Sequence, residues 1–263
     1  MIKDITLGQY YPGESMLHKA DPRVKIILTL AYMTILFLIN TYMGFLMFAL
    51  FTLLAIVGSG IPLKFTLKGL KPVVFIVIFA AVINIFTTPG TKLVGIGALK
   101  ITIEGLLLAG KMALRLSLLI MGASLLTLTT TPILLTDGIE KLMAPLKKIG
   151  VPAHEIAMMM TIALRFIPTL LDETDKIMKA QSARGADFDT GNIVQRARSF
   201  VPVLVPLFVS AFRRADELAL AMEARCYRGS EGRTRMKQLK LGLVDVQLSL
   251  IMIAFGVFVL VVQ

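Results

Sequence analysis

Two arginines stand where long helical patterns break off. In a chain of 263 residues they are the side chains best placed for specific recognition. Ala183-Arg184-Gly185 and Ala224-Arg225-Cys226 each set an arginine between an alanine and a small residue, at the end of an amphipathic stretch. A guanidinium at a helix C-terminus is favoured by about 0.3–1 kcal/mol, because the helix dipole ends there in partial negative charge. Gly185 suits the left-handed turn that closes a helix. Offered instead to an acidic groove on another protein, the same guanidinium makes a fork of hydrogen bonds that lysine cannot copy. The residues alone leave both readings open, a local cap and a docking contact. Either way the chemistry is recognition, not bond making.

The rest of the reactive inventory is thin. His18 and His154 are the two histidines, and His154-Glu155 opens a helix without the second histidine of an HExxH zinc helix. Cys226 is the single cysteine, so neither an internal disulfide nor a cysteine-rich metal site can form. No GxxxxGK[ST] phosphate loop occurs, so no nucleotide or other cofactor is expected on this chain. Paired carboxylates and nucleophile motifs are missing as well, which argues against an enzyme, including one acting on lipid.

Composition says where these arginines must be held. The chain is 56% hydrophobic and 17% charged, with a mean hydropathy of +0.78, too apolar for an ordinary soluble domain. Five runs are candidate membrane spans, at about Ile26–Asn40, Met43–Gly58, Pro72–Thr87, Leu106–Leu128 and Leu241–Val262. Met1–Arg23 is polar and contains Pro12, Gly13 and Pro22, so it does not read as a cleavable signal peptide. Asp245 is the one acid within the five runs. An ion-coupled carrier usually needs acids at mid-membrane and broken-helix repeats, which disfavours that class.

The net charge of +11 is explained by topology better than by nucleic acid. Seventeen of the 28 Lys and Arg residues fall between Thr131 and Lys240, and four more lie in Met1–Lys25. The positive-inside rule then places the N-terminus and the large basic insert in the cytoplasm and the C-terminus outside, with basic faces against anionic lipid. The expected organisation is a membrane domain over 1–131, a cytoplasmic coupling domain over 132–240, and a last span over 241–263 that packs with the membrane domain. The fold class is an all-α membrane protein: about five transmembrane helices plus three amphipathic cytoplasmic helices.

Breakers divide the insert. Thr131-Pro132 opens a helix to about Lys148, stopped by Gly150 and Pro152. A second helix is expected from Pro152 to Arg184, kinked at Pro168, and a third from Ile193 to Arg228. Asp187, Asp189, Gly191 and Asn192 form the turn between them. Ala211, Ala215 and Ala219 recur every four residues and offer a close helix crossing, or simple helix propensity. The run Met158-Met159-Met160 is either core filler or a pliable surface that accepts different partners. In the fourth span, Lys111 and Arg115 share one face; Arg115 either snorkels to water or makes a fixed polar contact. The loop after the third span, Lys92–Ile103, is expected to be an irregular excursion containing a short hairpin.

Taken in order, these residues resemble a known family. Ser15 to Lys25, which includes Leu17-His18 and Asp21-Pro22-Arg23-Val24-Lys25, is similar to the "LHxLDPRxK" entry of the transmembrane T component of energy-coupling factor transporters (the EcfT/CbiQ-like family). The resemblance continues through Glu104-Gly105, Arg115, Thr129-Thr130-Thr131-Pro132 and Ala163-Leu164-Arg165-Phe166-Ile167-Pro168, and ends with the two Ala-Arg-small motifs. It implies a non-enzymatic scaffold in a four-part importer. Two ABC-type ATPase subunits bind and hydrolyse ATP, and a separate membrane protein, the S component, captures a vitamin or other micronutrient. By the same resemblance Arg184 and Arg225 dock in grooves on the ATPases, and a member dedicated to cobalt or nickel uptake is the alternative. Cys226 departs from the pattern, standing where the first motif has glycine.

Overall fold

The computed structural model describes residues 9–96, 99–188, 192–229 and 239–262. In chain order its elements are α1 (Met16–Lys19), α2 (Pro22–Leu38), α3 (Tyr42–Ser59), α4 (Leu63–Thr87), the strands β1 (Lys92–Ile96) and β2 (Leu99–Thr102), α5 (Ile103–Thr129), α6 (Pro132–Met143), a 3-10 turn (Ala144–Ile149), α7 (Ala153–Ala183), α8 (Ile193–Ala224) and α9 (Leu243–Val262). The hairpin of β1 and β2 is antiparallel, with Ile96 opposite Leu99. All other regular structure among the described residues is helical. Asp189 and Gly191, expected turn formers, lie outside the described residues.

Local chemistry sets most of the boundaries. Asp21 caps α2, accepting from the Arg23 N–H at 2.9 Å, and Pro22 follows at the position where its missing N–H costs nothing. Gly60, at φ 70°, closes α3. Thr102 caps α5 by accepting from the Gly105 N–H at 3.1 Å. One start differs from expectation. The third span does not begin at Pro72: α4 begins at Leu63 and carries Pro72 inside it. Its first three turns hold Lys64, Lys68 and Lys71, so the basic stretch between the second and third apolar runs is helix. Proline forfeits a hydrogen bond inside a helix, but a long apolar helix can absorb that loss.

Among the described residues, five helices are long and apolar enough to cross a membrane: α3, α4, α5, α7 and α9. The number matches expectation and the membership differs by one. At 17 residues, α2 is slightly short by length. The first half of α7 is apolar enough to qualify, because three of its four acids and both its lysines lie between Asp172 and Lys179.

The chain divides into two compact units. One holds the described residues up to Gly138 together with 239–262, and the other runs from Ile139 through the end of α8; α6 contributes to both. The first unit is a bundle of α2, α3, α5 and α9 with α4 packed on α5. Its core is Tyr32, Leu36, Ile39, Phe45, Phe48, Leu118, Met252 and Val259. Tyr32 threads three of these helices: its hydroxyl shares a hydrogen bond with Thr52 at 2.8 Å and donates to the Leu118 carbonyl at 3.0 Å. Gly122 lets α5 approach this closely, since a Cβ there would collide with the Tyr32 ring.

A charged knot ties one end of the bundle. The Asp21 N–H donates to Asp245 Oδ1 at 2.7 Å, which joins the start of α2 to the start of α9. Arg23 forks onto Asp21 through Nε at 3.1 Å and Nη2 at 2.9 Å and reaches the Leu239 carbonyl at 3.2 Å. Lys25 is buried, and its ammonium donates to the carbonyls of His18 at 3.1 Å and Thr129 at 3.0 Å. His18 lies between the Ser15 hydroxyl and the Tyr11 carbonyl, and the Tyr11 N–H donates to the Leu128 carbonyl at 2.9 Å. Burial works to raise the Asp21 pKa, but the hydrogen bonds from Arg23 and the charges of Arg23 and Lys25 outweigh it and hold the carboxyl below its ordinary range.

Two stability results follow. Asp21→Ala removes the cap and leaves Arg23 without its carboxylate, so thermal unfolding of the purified chain should show a loss of about 2–3 kcal/mol. A carboxylate whose pKa is lowered on folding stabilises above its unfolded value and ceases to do so as pH falls through its folded one. The gap between wild type and variant should therefore be full at neutral pH and close in acid. Separately, Gly122→Val should destabilise the bundle by driving α5 away from Tyr32, at a cost of about 1–3 kcal/mol in the same assay.

Candidate functional site: two equivalent arginine turns

Helix α7 ends at Ala183 and Arg184 is its cap, with φ −89° and ψ 6°. Helix α8 ends at Ala224 and Arg225 is its cap, with φ −93° and ψ 13°. The hydrogen bonds around the two caps correspond atom for atom. In the first turn the Arg184 and Ala186 N–H groups both donate to the Gln181 carbonyl at 3.0 Å, and Gly185 donates to Ser182 at 3.0 Å. In the second, Arg225 and Tyr227 both donate to the Met222 carbonyl, at 3.2 and 3.0 Å, and Cys226 donates to Glu223 at 2.8 Å. Both are Schellman turns with the following residue in the left-handed conformation. Gly185 adopts it at φ 90° without cost, whereas Cys226 adopts it at φ 54° and is the one described non-glycine residue with positive φ. The departure noted in sequence is therefore a residue in a glycine's backbone role. It also stops α8 four residues short of the expected Arg228.

Each turn is then anchored behind the arginine by an aromatic ring. After the first, buried Phe188 packs 5.3 Å from Phe200, and its carbonyl accepts from Arg196 Nε at 3.3 Å. After the second, the Tyr227 hydroxyl donates to the Met158 sulfur at 3.0 Å and lies 3.3 Å from His154 Nε2. The other His154 nitrogen meets Glu140 at 3.1 Å. Ala183, Arg184 and Gly185 are exposed, as are Ala224, Arg225 and Cys226.

The contacts between α7 and α8 fix their direction. His154 meets Tyr227, Glu173 pairs with Arg214 at 2.9 Å, and Phe188 meets Phe200. Sequence numbers rise along α7 as they fall along α8, so the helices are antiparallel and the two arginine turns lie at opposite ends of the pair. Thirty-one residues of α7 at ~1.5 Å each set the ends roughly 45 Å apart.

The remaining residues singled out in sequence fall into three groups. Asp21, Pro22, Arg23 and Lys25 form the knot at the head of α2 and serve the bundle's architecture. Arg115 makes a fixed contact: it donates to the Ile39 carbonyl at 2.6 Å and to Asn40 at 3.2 Å, and it lies over the Phe45 ring. The third group sits on α7. Arg165 and Pro168 are exposed, and the helix continues through Pro168. Of the methionine run, Met158 turns inward to Tyr227, while Met159 and Met160 are 59% and 41% exposed. In α8, Ala215 and Ala219 are exposed and Ala211 is partly buried, so the alanine repeat is not a helix crossing within this chain.

An apolar stripe lies outside the motifs described above. Val201, Val205, Phe208 and Phe212 of α8 are all exposed. Their spacing of four, three and four residues was a readable signal of one helix face. The anchoring of Tyr227 and Phe188 had no sequence signal, because it depends on which residues the antiparallel pairing brings together.

Comparison with known proteins places the chain. Residues 13–236 match the CbiQ family, described as cobalt transport protein. The energy-coupling factor transporter transmembrane protein EcfT of Ruminiclostridium cellulolyticum is 67% identical over 263 residues, covering 100% of this chain and 98% of that protein. The protein of the same name from Clostridium kluyveri is 61% identical over 252 residues, with 95% and 93% covered. That from Bacillus subtilis is 49% identical over 240 residues, with 91% of each covered. With the family matched over most of its length and relatives this close aligned nearly end to end, the chain belongs to the CbiQ family of energy-coupling factor transporter transmembrane proteins.

Proposed function

We propose that this chain is a non-enzymatic scaffold that couples ATP hydrolysis in two cytoplasmic ATPase subunits to uptake of a vitamin or other micronutrient held by a separate capture protein. The observation that carries the reading is the pair of exposed arginine turns, alike in every backbone hydrogen bond and set at opposite ends of α7 and α8. Two equivalent contacts about 45 Å apart suit two similar subunits. Each guanidinium projects past a helix end, where an acidic groove on an ATPase can take it as a forked, charge-assisted pair. ATP is bound by those subunits and no cofactor by this chain.

The organisation that goes with this role has a cytoplasmic N-terminus, a coupling domain over 132–240 and an external C-terminus, as the distribution of Lys and Arg supports. The capture protein sits on apolar surface. Met159 and Met160 on α7 and the Val201–Phe212 stripe on α8 are exposed apolar surface of this kind, and methionine makes it adaptable. A dedicated cobalt or nickel importer is the second reading, favoured by the description of the family matched.

The test replaces each arginine in the assembled transporter. Arg184→Ala and Arg225→Ala should each weaken retention of ATPase by about tenfold or more and depress ATP-dependent uptake in reconstituted vesicles. Unfolding of the isolated chain should not change, and lysine should restore only part of the activity. Normal uptake and normal ATPase recovery in the double alanine variant would show that the arginines merely cap their helices.

The second turn gives an independent check. Cys226→Gly removes a left-handed side-chain penalty and should stabilise the chain by about 0.5–1 kcal/mol in thermal unfolding while uptake is retained. Cys226→Val should destabilise it and distort the Arg225 turn, lowering uptake more than Cys226→Ser does.

A further inference from the structure

We propose that a cavity in the helical bundle is a binding site for one acyl chain of a membrane phospholipid. The cavity has a volume of about 420 Å³ and is walled by Leu28 and Tyr32 of α2, Ala55 and Gly58 of α3, Leu125 of α5 and Ile251 of α9. A cavity of about 150 Å³ already accepts benzene, so this one takes a hydrocarbon chain of more than a dozen carbons.

The chemistry of the walls favours hydrocarbon over water as the natural occupant. Each polar side chain that borders the cavity already has a partner within the protein. Lys25 is committed to the His18 and Thr129 carbonyls. The Thr29 hydroxyl donates to Lys25 and the Thr129 hydroxyl to Leu125, each to the carbonyl, at 2.8 and 2.7 Å. Tyr32 and Thr52 are hydrogen-bonded to each other and to carbonyls of Leu118 and Phe48. A buried water needs two to four polar partners, and with the hydroxyl hydrogens committed it would find only leftover acceptor lone pairs on walls that are mostly hydrocarbon. The surrounding surface is apolar as well: Met16 and Leu54, at the cavity, are each 62% exposed, and Ile251 is 54% exposed. The cavity is thus continuous with surface that faces hydrocarbon in a bilayer.

The packing favours a flexible chain over a partner helix. The four walls α2, α3, α5 and α9 pack on one another, and a helix ~10 Å wide cannot pass between helices in contact. A headgroup also has a place. Met16 and Leu17 line the cavity, and Lys19, on the same short helix, is exposed. A lipid phosphate at that end would meet a free-standing positive charge, which commits the site to an anionic phospholipid. Gly58 gives a way to close the site: a Cβ built there has no heavy atom within 4 Å, so a larger side chain grows into open space.

The experiment uses the full chain in nanodiscs containing phosphatidylglycerol with a diazirine midway along one acyl chain. Cross-links should concentrate on Leu28, Leu125 and Ile251, above those on Phe75 and Phe79, which are exposed on α4 and report ordinary lipid contact. Gly58→Phe should lower labelling of the cavity residues by about tenfold and leave Phe75 and Phe79 unchanged, with Ala55→Phe as a second filling variant should the first fail to fold. Lys19→Gln should remove the preference for phosphatidylglycerol over phosphatidylcholine. Cavity labelling no stronger than that of Phe75 would overturn the proposal. So would labelling untouched by either filling variant, or labelling lost when the capture protein and ATPases assemble, since the cavity would then seat protein.

Discussion

Charge buried at the end of an apolar bundle is costly to desolvate, and it persists only where every donor and acceptor is matched. The first unit of this protein depends on such a match. Asp21, Arg23, Lys25 and Asp245 bring together the heads of α2 and α9, while Lys25 and the Tyr11 backbone hold the end of α5. Removing Asp21 strands Arg23, and removing Asp245 strands the Asp21 N–H. Lys25 spends its ammonium on carbonyls that helix ends and turns leave unpaired. Asp245 serves two backbone N–H groups, those of Asp21 and Gly242. Helices in a membrane gain little from burying apolar surface against one another, so polar contacts and close packing must fix their arrangement. Here they do so at both ends of the bundle: the knot holds one, and Arg115 on the Ile39 carbonyl holds the turn between α2 and α3.

The second unit is built on a different principle. An antiparallel helix pair is stiff along its axis, and its two exposed arginine turns lie where each helix stops. Both stops are produced by the same left-handed turn, so the arginine before it leaves each helix along the same path. An aromatic residue behind each turn, Phe188 or Tyr227, keeps the stop from fraying. A motion applied at one end can therefore be carried along the pair and not be absorbed by a loose terminus.

Much of this was legible in sequence, for physical reasons that can be named. Apolar runs of membrane length, prolines and glycines at breaks, and the Ala-Arg-small pattern are local properties, and the helices of the insert fall close to where these signals put them. The failures are equally physical. Pro72 reads as a boundary, yet α4 passes through it, because a long apolar helix supplies enough continuity to absorb one lost hydrogen bond. The end of α8 has two readings in sequence, the break at Ala224-Arg225-Cys226 and a helix to about Arg228; the chain turns at Cys226, a residue whose left-handed conformation no propensity favours. Asp21, Arg23 and Lys25 were picked out by family resemblance, but their role is to lock the bundle, which only their long-range partners reveal. Asp245 was visible as a lone acid in an apolar run, and its partner was not, since 224 residues separate it from Asp21.

The distance between the two arginine turns follows from the stiff strut that carries them at its opposite ends. The single native cysteine makes it directly measurable. A nitroxide on Cys226 and a second on Ala183→Cys would sit one residue beyond one arginine and one residue before the other. Pulsed electron resonance on the transporter assembled in lipid should give a single distance distribution centred at roughly 45 Å, the length of α7. A main peak below about 25 Å, little more than half of that helix length, would contradict the account, because the two turns would then not lie at opposite ends of the pair.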